Sequence, residues 1–243
     1  MESFEKTFKL PSNGYFGGPK EITLRAMTTK EEKLLYTSRD LGFLDRLIKS
    51  CCIEPKDLDT TTLHQNDIMY LTFALRELTF GNTYMQEVVC PHCGTKQPVE
   101  IDISEMSVEI LDTEGIEEKL TVTLPVNKDT LQLKLLSRGD TQRIEKTVKQ
   151  KVSKGKLKNP EEYELLLKLS ELIVTRNGED FESNEDKLHY VDNLNLRDLN
   201  TIQKAISKLD FSLDNSNERV CSRCGEEMEV AGLISPEFFH PTE

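Results

Sequence analysis

Positive charge is scarce in this chain: 31 basic side chains face 43 acidic ones, a formal net charge of −12, which disfavours a general polyanion-binding role. Long apolar runs are missing too. No stretch approaches the roughly 18–20 residues of a membrane span, and the opening "MESFEKTFKL" lacks the basic start and apolar middle of a secretory leader. The chain therefore reads as cytosolic, with no membrane span. Histidine is rare, at four residues, and no His-x-Glu motif supplies the third ligand and proton carrier that zinc-dependent deamination needs. His64, His189 and His240 stand alone, without a Cys or carboxylate at ligand spacing. The 243 residues suffice for one large domain, or one domain carrying a smaller module.

The six cysteines are unevenly placed. Two form the vicinal pair Cys51-Cys52, near a helix end before Pro55, where buried thiols are expected in preference to a strained vicinal disulfide. The other four form two Cys-x-x-Cys pairs, an arrangement that in a reducing compartment points to metal or redox chemistry ahead of structural disulfides. "VVCPHCGTKQPVEI" holds Cys90 and Cys93, and "RVCSRCGEEMEVAGL" holds Cys221 and Cys224. Each pair follows a Val and is followed by a Gly, Gly94 or Gly225, where a tight turn needs positive φ and turns amides toward sulfur. A β-leaning stretch follows each. Four thiolates are the tetrahedral soft-ligand set that suits zinc, and four protein ligands leave no open position for a substrate. Cys90, Cys93, Cys221 and Cys224 are thus the expected ligands of one structural zinc, with His92 lying exposed between two of them.

Cys-Pro-His-Cys also matches the active-site tetrapeptide of oxidising thioredoxin-like proteins. That chemistry needs its first Cys at a helix N-terminus, and here Gly94 and Pro98 stand where the helix would run. Residues 94–220 separate the two pairs, far more than in a compact ribbon, whose knuckles stand about 15–20 residues apart. Closing so long a loop costs roughly 4 kcal/mol beyond a constant, against roughly 10–16 kcal/mol from structural zinc. The intervening chain is expected to be a folded insertion whose ends meet, with the metal as a clasp between the halves.

The pattern predicts an α+β fold: a mostly helical body with short β-hairpins and a split four-cysteine zinc ribbon joining the two halves. Residues 1–28 read as a β-arm or hairpin around Asn13-Gly14. Residues 29–80 read as helical, with Thr29 capping a first helix through Glu32, a break at Gly42, and a second helix over 63–79. The first knuckle and its hairpin take 81–103. Residues 104–217 hold a hairpin, with runs 120–124 and 131–135, then four helices. The first of these is expected to start at Asp140 as its cap. The second has Asn159-Pro160 as cap and first turn, carries Ile173 on its apolar face, and ends near Asn177-Gly178. Residues 218–243 form the second knuckle and a C-terminal tail.

One local stretch departs from the acidic balance. Lys146, Lys149, Lys151, Lys154, Lys156 and Lys158 form a run that could meet phosphate or an acidic protein face; the plainer reading is a solvated helix face and linker, since no aromatic residue interleaves. Arg138-Gly139-Asp140 matches an adhesion tripeptide, but a helix cap explains Asp140 better.

The opening "LPSNGYFGGPKEITLRAMTTKEEKLL", the two Cys-x-x-Cys-Gly knuckles and the late stretch "YVDNLNLRDLNTIQKAI" together resemble the baseplate hub assembly proteins of T-even-type contractile-tailed phages, over nearly the whole chain. The resemblance implies an assembly catalyst or chaperone rather than an enzyme. It would act in the host cytoplasm on other baseplate hub proteins, with nucleic acid not expected as a partner. The rival reading is a nucleic-acid-binding zinc-ribbon factor that uses the lysine run. For a binding scaffold, an exposed apolar or mixed patch is expected on the N-terminal arm or the insertion.

Overall fold

The computed structural model describes residues 4–37, 42–155, 157, 159–209, 211–234 and 236–239. Among them, eight helices and five sheets of two or three strands form an α+β fold.

Strands β1 (Glu5–Lys9) and β2 (Glu21–Arg25) pair antiparallel with Phe8 opposite Ile22, and alternation buries Phe8, Ile22 and Leu24 together. No tight turn joins them. The chain from Leu10 to Lys20 forms a long loop closed by Leu10 N–H to the Lys20 carbonyl, with Asn13 and Gly14 at positive φ. Helix α1 (Thr29–Thr37) is capped one residue earlier than the sequence pattern predicts: Thr28 N–H and Oγ1 both donate to Glu31. Glu31 is buried, and although burial opposes its charge, Arg25, Ser50 and Thr28 hold its carboxyl well below the usual range. Helix α2 (Phe43–Cys51) starts after Gly42, where the break was expected. Strand β3 (Cys52–Glu54) joins β2 in a three-stranded sheet. Helix α3 (Gln65–Phe80) then crosses beneath it; His64 Nδ1 accepts from Asn66 N–H, and the Asp67 carboxylate returns to His64 N–H.

Strands β4 (Thr83–Val89) and β5 (Lys96–Asp102) form the first knuckle hairpin, followed by β6 (Ser107–Val108). A short helix α4 (Ile116–Lys119) leads into β7 (Thr121–Thr123) and β8 (Thr130–Leu133). Helix α5 (Arg138–Ser153) is capped by Ser137, whose Oγ accepts from Asp140 N–H; Asp140 is the third residue, returning its carboxylate to Ser137 N–H. Asp140 is therefore the inner half of a capping box and not the cap. Helix α6 (Pro160–Leu172) begins at Asn159-Pro160 as expected, but stops short. The β-branched run from Ile173 forms β9 (Ile173–Arg176), which adds to β8 and buries Ile173 from a strand. Helices α7 (Asn184–Asp192) and α8 (Leu196–Ser207) follow, then β10 (Leu213–Asp214), β11 (Ser216–Val220) and β12 (Glu227–Ala231).

Two hydrophobic cores result. The first gathers β1, β2, α2, α3, both knuckle hairpins, and Phe238 and Phe239; the second gathers residues between Leu111 and Phe211, with Tyr15 and Phe16 reaching in from the N-terminal loop. Strands β6 and β10 pair antiparallel, so the chain leaving the first hairpin and the chain returning to the second lie side by side. The cores meet through polar contacts. Arg138 grips Asp45 of α2 with a shortest contact of 2.9 Å, both side chains buried. The His64 ring lies between Phe16 and Phe211, with centroids 5.6 and 4.6 Å away.

Burial pushes the His64 pKa down to about 4, against about 6.5 when unfolded. The unfolded chain thus binds a proton that the folded chain refuses. This contribution to stability is complete above pH 6.5 and is lost as pH falls toward 4, up to about 3 kcal/mol. His64→Asn, which keeps a capping acceptor, is expected to flatten the dependence of urea-unfolding free energy on pH in that window. Asp45→Ala, which removes the nearest carboxylate from the buried Arg138 guanidinium and leaves it Glu145 at 3.9 Å, is expected to cost about 3 kcal/mol in the same measurement.

Candidate metal centre

The two knuckle hairpins carry the same local geometry. In the first, Gly94 N–H donates to the Cys90 carbonyl and Cys90 N–H to the Thr95 carbonyl, each at 2.9 Å; in the second, Gly225 N–H donates to the Cys221 carbonyl and Cys221 N–H to that of Glu226, again at 2.9 Å. Both glycines have positive φ, 70° and 74°. A residue with a Cβ would be strained there, which explains why each Cys-x-x-Cys pair is followed by Gly.

The hairpins face each other sulfur to sulfur. Cys90 Sγ lies 3.8 Å from Cys224 Sγ, and Cys93 Sγ lies 3.7 Å from Cys221 Sγ; all four sulfurs fall within 4.8 Å of one another. A tetrahedral ion with metal–sulfur bonds of about 2.3 Å separates its ligand sulfurs by about 3.8 Å. A disulfide would need about 2.05 Å, and all four cysteines are free thiols. Cys90 and Cys221 are buried, Cys93 is half-buried and Cys224 is exposed.

The Thr95 hydroxyl and amide stabilise the Cys93 thiolate and lower its pKa to about 6, and the amides of Cys224 and Arg223 lower that of Cys221. Cys224 receives the Glu226 amide, yet partial desolvation and the three other sulfurs beside it push its pKa up. Four thiolates this close repel one another, and a positive ion at their centre would offset that repulsion. The donor set fits a thiolate-bound tetrahedral metal.

The hairpins are docked by groups that the sequence pattern did not single out. Gln86 Nε2 donates to the Ala231 carbonyl and its Oε1 accepts from Leu233 N–H, while Gln97 Oε1 accepts from Ser222 N–H and Oγ. His92, exposed as expected, sets Nε2 3.1 Å from the Glu227 carbonyl, and Arg223 donates to Thr95 in the reverse direction. A signal existed for the glutamines: each sits at an inward position of an alternating strand, beside Tyr84 or Val99, and a polar residue at a buried position must find partners.

The lysine run is divided. Lys146 and Lys149 line an open cleft between α5 and α2 with Arg46. Lys151 turns to α6, where it lies 4.1 Å from the Tyr163 ring centroid and donates to its hydroxyl. Lys154 follows the end of α5, while Lys156, Lys158 and His240 lie outside the described residues. Arg138 and Asp140 of the adhesion-like tripeptide are both buried. Cys90 sits at the end of a strand, not at a helix N-terminus, and β5 follows; the position the redox reading requires is not there.

A family model described as T4 bacteriophage base plate protein matches residues 1–240. No curated protein and no solved structure matches.

Purified protein is expected to hold one zinc per chain. With metal in place, all four knuckle thiols should resist alkylation; after chelation, four should react. Cys51 and Cys52 should stay slow in both states, because Cys51 is buried and Cys52 is half-buried with its thiol donating to the Pro55 carbonyl. Mass spectrometry of alkylated peptides separates the two groups. Cys90→Ser or Cys224→Ser should lower the melting temperature as chelation does, and equal melting with and without chelator would contradict a structural metal.

Proposed function

We propose that this chain, which belongs to the T4 bacteriophage base plate protein family, is a non-enzymatic assembly factor. It promotes formation of the baseplate central hub by binding other hub proteins transiently, with one zinc on Cys90, Cys93, Cys221 and Cys224 holding its shape as a split ribbon. The observation that carries this reading is the family match over residues 1–240, joined to a four-sulfur cluster that as a metal site is coordinatively complete and offers no position to a substrate. A factor of this kind lowers the barrier to assembly by presenting a preorganised surface and then leaving. Its place of action is the host cytoplasm while baseplates form.

The surface suits protein partners. Phe4 on the N-terminal strand segment is 69% exposed, and Leu165 and Leu196 project from α6 and the start of α8. The cleft with Arg46, Lys146 and Lys149 offers an acidic protein face a cationic counterpart in an otherwise acidic molecule. The nucleic-acid reading has less to stand on, because Lys151 is engaged with Tyr163 and the net charge is −12.

Hub formation from purified components, followed by analytical sedimentation, is expected to accelerate with substoichiometric amounts of this chain, and the chain is expected to be absent from purified particles. No acceleration would sink the assembly role. Strong binding to DNA or RNA that weakens steeply with salt would favour the nucleic-acid reading instead.

A further inference from the structure

Strand β1 is the edge of its sheet, with β2 as its one neighbour. The hydrogen bonds Ala26 N–H to Phe4 O and Leu10 N–H to Lys20 O set the parity of the ladder. Even-numbered residues of β1 turn their main-chain groups to β2, so Thr7 and Lys9 turn theirs outward. Among the described residues, no main-chain partner meets the N–H and C=O of Thr7 and Lys9.

A second edge faces the same space. Glu109 N–H donates to the Ser212 carbonyl, so by alternation Ser107 and Asp214 are the bonded pair of β6 and β10, and Val108 points its N–H and C=O away from β10. No partner meets them either among the described residues. Thr7, Lys9 and Val108 line one cleft, whose floor is a single face of α3: Tyr70, Phe73, Ala74 and Glu77, spaced i, i+3, i+4, i+7. The walls converge where Leu111 N–H donates to the Pro11 carbonyl at 2.8 Å. The result is a wedge between two strand edges whose floor mixes Tyr70, Phe73 and Ala74 with the Glu77 carboxylate. Lys9 stands exposed at its rim with no ion pair among the described residues, while Lys6 is tied to Glu77 at 2.9 Å.

We infer that this wedge accepts an extended segment of a partner protein by strand addition along β1. The segment supplies main-chain groups to Thr7 and Lys9, apolar side chains at alternate positions to the α3 floor, and a carboxylate to Lys9. Two features select an extended occupant over a helix. A helix has satisfied its own main chain and would leave the edge of β1 unpaired, and the floor lies beside that edge, where alternate side chains of an added strand point. The inference rests on the assembly reading in one respect, that the occupant belongs to another protein; strand acceptance itself is tested with peptides and fails separately.

The probe is a random twelve-residue peptide library, selected against the full-length, metal-loaded chain. Enriched peptides should alternate apolar residues and carry Asp or Glu. In a synthetic copy of the best peptide, N-methylation of alternate residues should weaken binding about tenfold or more in one parity and leave it within about twofold in the other, since only one set of amides reaches β1. Lys9→Glu, a surface change, should weaken the acidic peptide severalfold, and hydrogen exchange at Thr7 and Lys9 should slow in the complex. The proposal is overturned if no sequence is enriched, if both parities of methylation act alike, or if protection on binding appears away from β1 and α3.

Discussion

Four sulfur atoms within 4.8 Å of one another are the constraint on which the rest of the architecture depends. They come from two cysteine pairs separated by residues 94–220, so any structure that brings them together must return the chain to its starting point. Everything between the hairpins is built to satisfy that condition. β6 and β10 lie side by side at the mouth of the insertion, and the insertion buries its own core of leucines and isoleucines. The second hairpin completes the first core through Met228 and Val230. A metal bond set worth roughly 10–16 kcal/mol comfortably exceeds the closure entropy of such a loop. Much of that entropy is covered by the folded insertion, whose ends β6 and β10 hold side by side.

The seam between the two cores is polar, which gives it a different role from the cores themselves. Apolar contact is tolerant of small slides, whereas a buried Arg138–Asp45 pair and a His64 ring wedged between Phe16 and Phe211 have one good arrangement. Asp67 ties the seam to the N-terminal loop, accepting from Ser12 N–H as well as His64 N–H. Each of these groups is costly if displaced. The seam therefore sets the angle between the halves, and the sulfur cluster closes them at their other connection.

The sequence was most legible where the signal is local. Cys-x-x-Cys-Gly needs no tertiary knowledge, because its glycine and its sulfurs belong to one turn, and both hairpins follow from it. Asn159-Pro160 marks a helix start by its own chemistry. The errors arose where neighbouring candidates compete or where distant chain decides. Thr28 and Thr29 are both fit to cap, each with a glutamate three residues on, and Thr28 wins because its partner Glu31 is also held by Arg25 and Ser50; of Ser137 and Asp140, Ser137 wins because its i+3 partner is an acid. Ile173 fits the apolar stripe of α6, but the vacant edge of β8 captures it into β9. The lysine run is contiguous in sequence and divergent in space, since helical geometry sends Lys146 and Lys149 to α2 and Lys151 to Tyr163. Gln86 and Gln97 find their partners more than a hundred residues away, and no window along the chain contains both ends of that bond.

The clasp must also be aimed, and Arg76 does this from inside the first core. Its side chain is 1% exposed and no carboxylate meets it among the described residues. Instead the guanidinium donates to the carbonyls of Gly81 and Thr83, at 3.0 and 2.7 Å, and lies over Phe80, Tyr84 and Phe238. These carbonyls are the last groups of the corner where α3 ends and β4 begins. A cation bound there neutralises the negative end of the helix and fixes the direction in which β4 leaves, with the aromatic rings supplying the attraction that an acid would otherwise supply. Because β4 is rigidly paired with β5, that direction decides where Cys90 and Cys93 stand. The soft-ligand cluster at one end of the hairpin thus depends on a hard cation at the other, and α3, which carries both Arg76 and the floor of the edge-strand wedge, couples the clasp to the surface offered to a partner.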